Sequence, residues 1–220
     1  AENSEDKGEA EAPVADDAVA IAGSEGGAGA SENADALPVA RHQEAVMLTP
    51  VERLAAKADG KQRELVENQR GITYFGLFGP YLAGAKKIVV EDAYVRKPYQ
   101  LRNLAEFLET LLRCKNPDED VAVHLVTGHN EPGFMEAQLD GLNELASTFS
   151  QLGVNLTYEF RDTLHDRSIT SDTGWEILPG RGLDIFQKFV DGDWLNPLLR
   201  HQQLRRVKEC KVTYRRIDEK

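Results

Sequence analysis

Between Lys87 and Phe160 the chain alternates short apolar runs with longer amphipathic ones, and that alternation confines it to the α/β class. The apolar runs are Lys87–Tyr94 (KIVVEDAY), Val121–Thr127 (VAVHLVT) and Val154–Phe160 (VNLTYEF), each of strand length. The first intervening stretch opens at Pro98 and repeats Leu101, Leu104, Leu108, Leu111 and Leu112 on one helical face. The second runs over Phe134–Leu152, with Met135, Leu139, Leu142, Leu145 and Phe149 three or four residues apart, and stops at Gly153. Strand, helix, strand, helix, strand is the pattern of a parallel sheet with right-handed crossovers and flanking helices. Beyond it, two apolar segments flank Ser171-Asp172-Thr173-Gly174 as a hairpin, and Lys211–Ile217 predicts a last strand at the sheet edge.

Upstream, the dense apolar face from Tyr74 to Leu82 predicts a further helix, and residues 49–70 predict a connector helix opened by Pro50 and weakened at Gly60. Residues 1–36 hold ten acids against one base, Lys7, and no aromatic residue precedes Tyr74. Such a segment buries too little apolar area to offset its ordering entropy, so residues 1–48 are expected to be a disordered acidic linker. A tail of this kind is expected to join the domain, residues 71–220, to the upstream part of a larger protein. The net charge of −11 therefore belongs mostly to the tail, and it argues against no anionic partner of the folded part. No apolar run approaches the roughly 18 residues of a membrane span. Cys114 and Cys210 have neither metal-site nor redox-motif spacing, which fits reduced thiols in a cytoplasmic protein.

Parallel sheets place ligands at the carboxyl ends of their strands. Here those ends carry Glu91, Asp92, Tyr94 and Arg96, then Thr127, Gly128 and His129, then Arg161, Asp162 and His165. The sharpest pattern is His165-x-Arg167-x4-Asp172: alternate strand positions bring an imidazole and a guanidinium to one face, where the cation can hold phosphoryl oxygens. Glu91 or Asp92 is expected to pair with Arg96 or Arg167. Gly180-Arg181-Gly182 reads either as an anion-binding turn or as a tight turn needing positive φ. The basic stretch from Arg200 to Arg216 is a second candidate for an anionic partner. No metal or cofactor site is expected.

Residues 71–217 resemble the phospholipase D-like domain found at the C-terminus of MIT-domain proteins. The resemblance rests on Gly71-Ile72-Thr73-Tyr74, Glu91–Arg96, Gln100–Asn103, His124–Thr127, His165-Asp166-Arg167, Gly174-Trp175 and Gly180–Asp184. Similar domains occur at the C-terminus of Lon-like AAA+ ATPases of phage-exclusion systems. The resemblance implies a phospholipase D-like sandwich with one H-x-R-x4-D motif, in which Arg167 replaces the superfamily's lysine. It also implies a non-catalytic, dimeric domain able to bind acidic phospholipid membranes; from the residues, the expected partner of the homodimer is a phosphate-bearing polymer, nucleic acid or an anionic lipid surface. Arg96, His165, Arg167 and Gly180–Gly182 are the expected phosphate contacts, supported by Glu91, Asp92 and Tyr94. The alternative is a phosphodiesterase or nuclease with His165, Arg167 and Asp172 as catalytic residues. With one motif per chain it requires a two-fold dimer, so that one His165 attacks and the other protonates the leaving group.

Overall fold

The computed structural model describes residues 48–188 and 196–217. Residues 1–47, where almost all of the expected linker falls, lie outside them. Among the described residues seven strands form one sheet: β1 (Arg63–Leu65), β2 (Lys87–Asp92), β3 (Val121–Thr127), β4 (Val154–Phe160), β5 (Arg167–Ser171), β6 (Trp175–Pro179) and β7 (Cys210–Arg216), in the order β1-β7-β6-β5-β2-β3-β4. The three apolar runs are the parallel part, with Ile88 opposite Val123 and Val123 opposite Leu156. Every other pairing is antiparallel, so the sheet is mixed and not simply parallel. The cause is connection length. A parallel return needs a crossover of about a dozen residues or more, and residues 161–166 between β4 and β5 are too few. The chain instead returns beside β2 in the opposite direction.

Burial alternates along the strands and identifies the covered face. Ile88 and Val90 of β2, Val123 and Leu125 of β3, Val154 of β4 and Ile169 of β5 are buried in one cluster with residues of the helices. Those helices are α2 (Tyr74–Leu82), α3 (Pro98–Cys114) and α4 (Met135–Ser150); α1 (Pro50–Ala55) and the short α5 (Pro197–Arg200) lie outside that cluster. Strand order fixes the side of α3 and α4: two crossovers of one hand stepping the same way along β2-β3-β4 put both helices on one face. α3 packs against both α2 and α4. Its Leu104, Phe107, Leu108 and Leu111 are almost wholly buried, each worth about 1.5–3 kcal/mol relative to exposure. On the other face Val89, Ala122, Asn155 and Thr157 meet solvent. No described helix is long and apolar enough to cross a membrane.

The expected connector helix over residues 49–70 is not continuous. Thr49 and Glu52 form a reciprocal cap that starts α1, but the helix ends at Ala55, and Arg63–Leu65 pairs with β7. Leu54 packs on Ala83 and Cys114, and Leu65 enters the main core. This segment is therefore part of the domain. β1 also displaces β7 from the edge position expected for it.

Candidate anion-binding site

Successive residues at the end of β2 point to opposite faces, which separates the roles of Glu91 and Asp92. Asp92 is 3% exposed, and its carboxylate accepts hydrogen bonds from the N–H groups of Tyr94 and Leu183, both at 3.0 Å. Arg167, its register partner on β5, holds Nε 3.8 Å from Asp92 Oδ1. That is an ion pair but too long for a hydrogen bond, and this buried Nε has no hydrogen-bond partner. Burial pushes the Asp92 carboxyl above its ordinary range; the two N–H groups and the Arg167 charge act in the opposite direction but do not outweigh it.

The guanidiniums are held in place by backbone and by one aromatic ring. Arg167 Nη1 donates to the Gly180 carbonyl at 2.9 Å, and its guanidinium carbon lies 4.5 Å from the Tyr94 ring centroid. Arg96 lies 5.5 Å from the same centroid, with Nε donating to the Ala93 carbonyl at 2.7 Å. Gly128 makes room for it: a Cβ there would fall 2.2 Å from Arg96 Nη2. Tyr94 remains 45% exposed, and His165 is exposed in the loop just before β5. Arg96, Tyr94, Arg167 and His165 thus gather at the carboxyl edge of the parallel strands.

Three other sequence-selected residues do not join them. Asp172 follows the far end of β5, five residues beyond Arg167, about 16 Å away at strand rise. Its carboxylate accepts the Lys86 N–H at 3.1 Å, at the opposite edge of the sheet. His165, Arg167 and Asp172 therefore do not converge within one chain. Glu91 lies on the open face, accepting from Ser168 Oγ at 3.0 Å and 3.6 Å from Arg161. Arg181 donates its Nε to the Glu209 carbonyl at 3.0 Å, in a cavity it shares with Glu64 and Lys211.

The glycine turn offers its N–H groups inward. Gly180 N donates to the Lys211 carbonyl, Gly182 N to that of Pro179, and Leu183 N to Asp92. The anion this turn serves is the Asp92 carboxylate. Gly182 has φ +60, and a Cβ there would lie 1.9 Å from Asp92 Oδ2. Most cations of the basic C-terminal stretch are engaged as well. Arg205 donates to both carboxylate oxygens of Glu106, Lys208 pairs with Asp184, Arg215 with Glu176 and Lys211 with Glu64. Arg216 stacks on Trp175.

Sequence reasoning passed over Gln138. It is 1% exposed, its amide donates to the carbonyls of Val95 and Gly128, and its oxygen accepts the Asn130 N–H. It fixes both loops that seat Arg96. The available signal was a glutamine beside Leu139 and Leu142 on an otherwise apolar helical face.

Among the described residues a mixed sheet with helices on one face carries His165 and Arg167 at its strand edge, an α/β arrangement consistent with the phospholipase D-like class. The family described as a phospholipase D-like domain at the C-terminus of MIT matches residues 71–216. The chain belongs to that family. MIT domain-containing protein 1 of Mus musculus is 37% identical over 136 residues, which cover 60% of this chain and 54% of the mouse protein. The match thus spans about half the length of that relative.

Proposed function

We propose that the domain is a non-catalytic, dimerising module that binds a phosphate-bearing polymer for a larger protein. The observation that carries this reading is the pair of guanidiniums fixed on the exposed Tyr94 ring. Preorganised arginines bind phosphate oxygens with little ordering cost. The single His165, with Asp172 at the other edge, favours binding over turnover. Hydrolysis of a stable diester needs both a nucleophile and a separately placed acid, and a guanidinium does not give up a proton in proteins. An upstream MIT domain or Lon-like ATPase is the partner in cis, and the full open reading frame identifies which.

The test measures polyanion binding against salt, together with hydrolysis of an activated diester and of plasmid DNA. Arg96→Gln is expected to weaken binding and, on a duplex, to lower the salt slope by about one unit for the lost contact. His165→Ala is expected to weaken binding only a few fold, with wild-type turnover at the buffer blank. Turnover abolished by His165→Ala replaces this reading with a phosphodiesterase assembled from two chains. Binding unchanged by Arg96→Gln removes the strand edge as the site.

A further inference from the structure

A second concavity, of about 390 Å³, opens where the amino ends of α3 and α4 meet, and it shares no lining residue with the Arg96–Tyr94–Arg167 stack. Among the described lining residues, Lys97, Lys188 and Arg102 are cations and Glu131 is a carboxylate. Tyr99 and Phe134 bring two aromatic rings. Phe134 is 60% exposed although it stands at the head of an amphipathic helix, so its ring contributes nothing to the core. Lys188 Nζ lies 4.9 Å from the Tyr99 centroid, which places a cation beside that ring. The α3 and α4 dipoles add further positive potential.

These groups select a ligand by elimination. An inorganic anion would engage the cations and leave both rings in water. A neutral aromatic molecule would engage the rings alone and gain nothing from the lysines. A flat aromatic group joined to a phosphate engages both, and the volume lies within the roughly 300–1,000 Å³ typical of small-molecule sites. We propose that this cavity binds a nucleoside monophosphate unit, with its phosphate on Lys97 and Lys188 and its base against Tyr99 and Phe134. The unit is either a free nucleotide or the 5′ end of a single strand. The proposal stands apart from the strand-edge reading, because the residues differ.

Isothermal titration of the full chain with AMP, adenosine, ribose 5-phosphate and an inositol monophosphate tests it. AMP is expected to bind about tenfold more tightly than each of the other three, since one stacked base contributes that much. Phe134→Ala and Lys97→Gln, both at exposed positions, are each expected to weaken AMP about tenfold, and Arg96→Gln to leave it unchanged. A 5′-phosphorylated oligonucleotide that outbinds AMP supports the strand end as the source, and equal binding supports the free nucleotide. The proposal fails if ribose 5-phosphate or inositol monophosphate binds as well as AMP. It fails equally if millimolar AMP does not bind, or if Phe134→Ala and Lys97→Gln both leave AMP binding unchanged.

Discussion

Replacing Gly182 with alanine tests how the strand edge is built. The residue has φ +60, and its new Cβ would stand 1.9 Å from Asp92 Oδ2, 2.6 Å from Asp92 Cγ and 3.0 Å from Arg167 Cδ. The left-handed backbone alone costs an alanine about 1 kcal/mol. The carboxylate, already buried, must also move away and give up the Leu183 N–H, a charge-assisted bond worth about 1.5–3 kcal/mol. The sum, about 2.5–4 kcal/mol, lowers Tm by about 5–16 °C in a domain of this size. Gly71→Ala is the matched control: φ is +84 and nothing lies within 4 Å of the added Cβ. It isolates the backbone cost and should lower Tm by about 2–4 °C. Thermal denaturation followed by circular dichroism compares the two variants directly. If Gly182→Ala falls no further than Gly71→Ala, the glycine turn does not hold Asp92 in the way argued above.

Two further outcomes follow from the same packing. Leu65→Ala, at a position 3% exposed, should cost about 2–5 kcal/mol, whereas Val66→Ala, 65% exposed, should leave the urea midpoint within error; equal effects would return residues 63–66 to a connector outside the core. The Asp59 carboxyl is held down at about 2, first by its bonds from Arg63 and then by the Lys61 N–H. Its folded pKa lies below the unfolded value, so its stabilisation is complete above about pH 4 and is lost as pH falls toward 2. Asp59→Asn should flatten the urea midpoint across that window and change little at pH 7 relative to pH 5; an unchanged acid slope would count against the Arg63–Asp59 pair.

The parts of the fold readable from sequence were those with a repeat. The three apolar runs became β2, β3 and β4, and the leucine spacing after Pro98 became α3. Sheet order carries no such signal, because it depends on whether a link such as 161–166 is long enough for a crossover. Arg63–Leu65 is too short to show any period, so a strand there could not be told from the helix beside it. At the site, proximity to a strand end put Arg96, Tyr94, Arg167 and His165 at one edge of the sheet. It could not show that the Leu183 N–H just after the turn faces Asp92, because that contact joins residues ninety-one positions apart. The engaged state of the basic stretch was hidden in the same way, since Arg205 meets Glu106 only after folding.

The H-x-R-x4-D spacing acquires a different meaning once its strand is seen. β5 is Arg167–Ser171, so His165 and Asp172 bracket a single strand and stand at opposite edges of the sheet. A pattern that reads as one site along the sequence is, in space, a site at one end and a clamp at the other. The clamp is the Asp172 carboxylate on the Lys86 N–H, reinforced by the Asp172 N–H on the Lys87 carbonyl. Together they fix where β5 ends its run against β2, with Ser171 opposite Ile88 and hence Arg167 opposite Asp92. A slip of one residue would send every β5 side chain to the other face. Ile169 would leave the core, and Arg167 would leave Asp92 and Tyr94 for the open side. Asp172 therefore acts on the edge that carries the candidate site without approaching it, by holding the register that delivers Arg167 there.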